Sequence, residues 1–140
     1  MKKVILLLVI IATCTLSAIC TDSIECSIEN SKWKLKGLVT SGSDEIKSIG
    51  GEDCERCFTL SFNENGEVYA CGKENAMDGK YEISDGKVIL AHCTVTEKEL
   101  LCWDEIHYYS WLMNGPEYKF IDGELYLYVD ENQHLIFRKI

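Results

Sequence analysis

The feature that most constrains this 140-residue chain is a string of short segments in which apolar and polar side chains alternate, each punctuated by Gly, Asn or Asp. Trp33-Lys34-Leu35-Lys36, continuing through Gly37 to Leu38-Val39, has this period of two, so one face should be buried and the Lys face solvated. Phe58-Thr59-Leu60-Ser61-Phe62 alternates in the same way, and Asn63-Glu64-Asn65-Gly66 turns it into Glu67-Val68-Tyr69-Ala70, a hairpin signal. Further strands are predicted over Gly79–Ile83, Val88–Ala91, Tyr118–Ile121, Leu125–Val129 and Leu135–Phe137, with turns at Ser84–Lys87, Asp122-Gly123 and Asp130–His134.

One segment breaks the pattern. From Asp104 to Asn114 the apolar residues Ile106, Tyr109 and Leu112 or Met113 recur every three to four positions, acids stand at the start, and Asn114-Gly115-Pro116 forms a stop. That predicts a helix of about three turns. The fold class is therefore α+β, mainly β: a curved antiparallel sheet or half-barrel of about seven to eight strands packed on one helix.

The N-terminus reads as a secretory signal over residues 1–20, with Lys2-Lys3, the apolar run Val4–Ala12, then small and polar residues to Ala18-Ile19-Cys20. Two cuts fit. Ala18 and Cys20 suit cleavage before Thr21, whereas Leu16-Ser17-Ala18-Ile19-Cys20 is similar to a bacterial lipobox, which would make Cys20 the lipid-carrying N-terminus. Residues 21–32 then read as a tether and 33–140 as one domain, a size that can bury a modest core.

Six cysteines remain after the signal: Cys26, Cys54, Cys57, Cys71, Cys93 and Cys102. An even set in a small exported domain predicts up to three disulfides, in a pairing that spacing does not settle. Removing Lys2 and Lys3 from 14 basic residues leaves 12 against 23 acidic ones, a net charge of 12 − 23 = −11. Such a chain repels nucleic-acid phosphates and anionic lipid head groups, so nucleic acid is excluded as a main partner and a membrane is expected only through a lipid on Cys20.

At this point the residue order resembles the META domain family, which includes HslJ-like envelope lipoproteins. The resemblance rests on Trp33-x-Leu35, Cys54-x-x-Cys57-Phe58-Thr59-Leu60-Ser61-Phe62, Gly66 and Asn75-x-x-x-Gly79-x-Tyr81. It continues through the helix before Pro116, then Tyr118, Leu125-Tyr126-Leu127-Tyr128 and Leu135-Ile136-Phe137. Glu74 stands where many members carry a Cys before the Asn, so no family disulfide is transferred. The resemblance implies a compact β-domain with one helix in the bacterial envelope, and no catalytic residues.

Sites of other kinds are weakly supported. Cys54-Glu55-Arg56-Cys57 has redox spacing, but a strand follows it rather than the helix N-terminus that lowers a thiol pKa, which favours a structural bridge. Zinc could draw on that pair with His92-Cys93 or with Cys102 and His107, yet exported thiols pair with one another first. Asp104-Glu105 is explained by the helix dipole. No catalytic triad, cofactor motif or metal motif is legible.

The aromatic residues carry the binding expectation. Tyr108, Tyr109 and Trp111 cluster on the helix, and Tyr126 and Tyr128 share one face of a strand whose other face is Leu125, Leu127 and Val129. With the Leu face as core, Tyr126 and Tyr128 line either solvent or a concave surface, or else form a second packed layer against the helix. A concave row of Tyr offers contact area together with hydroxyls, suited to a protein or a small amphiphile. The expected function is thus a non-enzymatic exported binding or scaffolding protein of the bacterial envelope. The alternative is a secreted inhibitor or effector acting through the loop Ser41–Asp53, held rigid by disulfides.

Overall fold

A computed structural model describes residues 26–50 and 54–140 of the chain. The signal, Cys20, residues 21–25 of the tether and residues 51–53 of the 41–53 loop lie outside the described residues. Eight strands follow in order: β1 Ser31–Thr40, β2 Thr59–Phe62, β3 Glu67–Cys71, β4 Ala76–Ser84, β5 Lys87–Val95, β6 Glu117–Ile121, β7 Glu124–Tyr128 and β8 Gln133–Lys139. The helix α1, Trp103–Met113, lies between β5 and β6. Every pairing is antiparallel between sequence neighbours, and β1 also pairs with β8 from Trp33↔Lys139 to Thr40↔Gln133, so the sheet closes into a barrel. The mainly β class with one helix is as the alternation predicts, and the curvature runs to full closure.

The interior is a packed core. Alternation sends Trp33, Leu35, Leu60, Phe62, Val68, Ala70, Met77, Leu125, Leu127, Leu135 and Phe137 inward, all of them buried. Each large apolar side chain removed from water contributes roughly 1.5–3 kcal/mol. Trp33 donates its indole N–H to Ser31 Oγ at 2.7 Å, and the Ser31 hydroxyl in turn donates to the Ile28 carbonyl. Ile28 is itself in the core, so the domain begins before Trp33 and takes in the end of the expected tether.

The seam between β5 and β6 is the narrowest pairing, with Lys87↔Glu117 in register, flanked by Val88 N–H to the Pro116 carbonyl at 3.0 Å and Tyr118 N–H to the Gly86 carbonyl at 2.9 Å. In β1 the register shifts between Leu35 and Gly37. A Cβ on Gly37 would sit 2.4 Å from the Lys47 carbonyl oxygen, so only glycine lets the 41–50 loop pair back through Leu38 and Lys47.

Of the six cysteines, Cys54 and Cys57 form the one bridge among the described residues, S–S 2.02 Å. Cys26, Cys71, Cys93 and Cys102 are free thiols, half-buried. Of the up to three bridges that six cysteines allow, this one is formed among the described residues. Cys71 on β3 and Cys93 on β5 flank β4, which sets them about 10 Å apart at two strand spacings, beyond the Cα separation that a disulfide spans.

Candidate functional site

The helix is held by an acid turned inward. Glu105 is fully buried, its Oε1 accepting from the backbone N–H of Glu74 at 2.8 Å and of Asn75 at 2.9 Å, its Oε2 from Cys102 N–H at 3.1 Å. Burial alone pushes this carboxyl up; the N–H groups of Asn75, Glu74 and Cys102 and the Asn75 amide outweigh it and hold the pKa below the usual value. Tyr109 donates its hydroxyl to the Asn75 carbonyl at 2.7 Å, and Tyr108 to the Thr59 carbonyl at 3.0 Å. Burial raises both phenols, which keeps them protonated as donors.

The inward face is therefore Glu105, Tyr108, Tyr109 and Leu112, so that of the residues in the apolar spacing Tyr109 and Leu112 face the barrel. Ile106 and Met113 are exposed instead, at 49 % and 46 %. Tyr108 and Tyr109 are corrected from binding-surface candidates to core, because their hydroxyls and rings are spent on the barrel end. Ile106 is displaced outward because an acid that looks like a dipole partner on the surface occupies an inward position.

Rotation of the helix leaves an outward face of Trp103, Ile106, His107, Ser110 and Met113, with no Lys or Arg anywhere in Trp103–Met113. Trp103 is 74 % exposed, and Leu100, just before the helix, is 96 % exposed. Trp103, His107 and the half-buried Trp111 follow one another along the axis, a tilted and then an edge-to-face ring pair with centroids 4.0 and 5.6 Å apart, and His107 Nδ1 lies 2.9 Å from the Trp103 carbonyl oxygen. Single exposed apolar residues need no explanation, but a contiguous set of them on one helix marks a contact surface. Trp111 is the binding-surface candidate that this face retains.

Tyr126 and Tyr128 lie elsewhere. The interior takes Leu125 and Leu127, so both tyrosines point to the outer, convex side of β7. There they flank His134, with centroids 5.4 Å from it in each case, and Lys119 Nζ sits 5.1 Å from the Tyr128 ring. The expected concave row of tyrosines does not form, since the concave side of a closed small barrel is its packed interior.

Two other features are mainly structural in their contacts. Lys34 Nζ donates to the Cys54 carbonyl at 2.8 Å and to the Cys57 carbonyl, tying the bridged turn to β1. A groove of about 650 Å³ crosses the outer face near the start of β1, lined by Lys32, Tyr69, Asp78, Lys80 and His92 among others. Lys80 there pairs with Glu67 at 2.9 Å, so part of its charge is already matched. Among the described residues, no group of three or more His, Cys, Asp or Glu converges as a metal site.

No family model matches the chain, and no curated protein does. Solved structures do. A protein from Burkholderia xenovorans determined by NMR is similar, with a TM-score of 0.63 at 16% identity over 81% of this chain and 83% of that one. A crystal structure of a DUF4847 family protein from Bacteroides vulgatus gives 0.58 at 11%, covering 78% and 92% of the two chains. At these identities the likeness is one of fold.

Proposed function

We propose that this chain is a non-enzymatic exported binding or scaffolding protein of the bacterial envelope, of the META/HslJ-like kind that its sequence resembles. It is either lipid-anchored at Cys20 or released at Thr21. The observation that carries the binding role is the outward face of α1, where Trp103, Ile106 and Met113 are exposed, together with the exposed Leu100 just before the helix. Leaving that much apolar surface in water is unfavourable unless a partner covers it. A rigid helix pinned through Glu105 presents the face with little ordering cost on binding.

Site-specific photo-crosslinking in the native host tests this. A crosslinker at position 103 or 106 should give a discrete adduct, whereas positions 36 and 119 on the exposed barrel wall should not. Equal labelling at all four positions, or none at 103 and 106, would overturn the reading.

A further inference from the structure

Resting on that reading, we infer that the partner of the α1 face is a protein segment that is apolar at its centre and basic at its edge: a cationic amphipathic segment. Around the apolar patch the charge is predominantly negative. Glu97 and Glu99 are exposed just before Leu100, and Asp104 adjoins Trp103; Lys98 is the single base from residue 97 to the end of the helix. Asp104 also accepts from Gly50 N–H at 3.1 Å, which ties the patch to the 41–50 loop with its exposed Asp44 and Glu45. The chain as a whole carries 23 acids against 14 bases.

Complementarity then decides among occupants. A second copy docking through the same face about a two-fold axis would set Glu97 and Glu99 against their own images, at a cost from like charges. An anionic bilayer is repelled by the same rim. A segment whose Leu- or Phe-like anchors meet Trp103 and Ile106, flanked by Lys or Arg, satisfies both the centre and the edge, with the aromatic anchors supplying most of the affinity.

The test uses the chain from Thr21 onward with three probes: an 18-residue Leu/Lys amphipathic helical peptide, its Leu/Glu counterpart, and vesicles of zwitterionic or anionic lipid. The Leu/Lys peptide should perturb Trp fluorescence, bind at least tenfold more tightly than the Leu/Glu peptide, and weaken about tenfold or more between 50 and 500 mM salt. The double variant W103S/I106S, which leaves the net charge unchanged, should abolish binding. Its retained circular dichroism and melting temperature would show that it folds.

Leu/Lys binding that survives W103S/I106S is bulk charge attraction and overturns the inference. Equal binding of both peptides refutes the charge selection while leaving the docking face in place. Vesicle binding that depends on Trp103 would replace the protein segment with a membrane. A crosslinked partner at position 103 that lacks a basic apolar segment would overturn the inference on the partner's chemistry and uphold the function from which it starts.

Discussion

Glu105 and Asn75, thirty positions apart, hold each other across the end of the barrel: the Asn75 backbone N–H reaches Glu105 Oε1 at 2.9 Å and its side-chain amide lies 3.5 Å from Oε2. Asn75 then spends its other groups on the chain around it. Its Oδ1 accepts from Lys98 N–H at 3.0 Å, its Nδ2 donates to the Glu99 carbonyl at 3.0 Å, and its carbonyl accepts from Tyr109 and from Gly72 N–H. The β3–β4 turn, the 96–102 segment and α1 thus meet at one residue pair. A buried network of this kind specifies a single arrangement only while every member is satisfied.

Glu105→Gln should therefore destabilise the fold by about 3 kcal/mol, since an amide turns a donor toward N–H groups that need an acceptor, and each orphaned buried group costs roughly 1–3 kcal/mol. Urea unfolding at pH 7 measures this through a lowered midpoint at unchanged slope. An unfolding free energy within about 0.5 kcal/mol of the parent would show that the network is not structural.

The same carboxylate gives a pH dependence. Its folded pKa is depressed, so the stability it contributes is complete above the unfolded value of about 4.3 and is lost as the pH falls through the folded value. Acid unfolding should set in below pH 4.3, and Glu105→Gln should flatten that limb. An identical acid limb in parent and variant would contradict the assignment.

Gly72 has no room for a side chain: a Cβ would lie 2.6 Å from both Glu105 Oε1 and the Tyr109 hydroxyl oxygen. Gly72→Ala should cost about 1–3 kcal/mol in thermal unfolding through overpacking. Paired with Tyr109→Phe, which removes that hydroxyl, its cost should shrink, and strict additivity in the double-mutant cycle would refute the clash.

Thiol chemistry distinguishes one bridge from three. Alkylation of the denatured, unreduced protein should modify Cys26, Cys71, Cys93 and Cys102, and reduction should expose Cys54 and Cys57 in addition. Because the bridge closes a loop of only about four residues, replacing both cysteines with alanine should cost no more than about 2 kcal/mol. Intact-mass measurement before and after reduction counts the groups; six alkylated cysteines appearing only after reduction would restore the three-bridge reading.

His134, half-buried between Tyr126 and Tyr128, has its pKa lowered by burial. NMR titration should find it protonating below about 6.5. The stability that its neutral form contributes is complete above that value and is lost as the pH falls toward the folded pKa. A His134 titration above 6.5 would contradict its burial.

Much of the fold was legible locally. Trp33/Leu35 and Leu125/Leu127 announce strands because a pleated, half-buried surface requires their alternation, and the Asn63–Gly66 turn marks the β2–β3 hairpin. What was not legible depends on distant partners. Closure between β1 and β8 leaves no mark in either strand, and nothing in a free-standing Glu105 foretells three backbone N–H groups waiting for it. Missing that acid left Tyr108 and Tyr109 among the binding-surface candidates and hid the exposed face of Trp103 and Ile106. Six cysteines likewise report a possibility of pairing, while strand order decides which of them can meet.

Closure also sets the order of assembly. The partner of the first strand is the last, so Trp33 waits for Lys139 and the edge of β1 stays open until nearly the whole sequence is available. Long-range pairing of that kind is slow to form. A chain cut short before Gln133 would be left with two bare strand edges, each a template for a neighbour, so that premature truncation yields aggregates rather than a smaller functional domain.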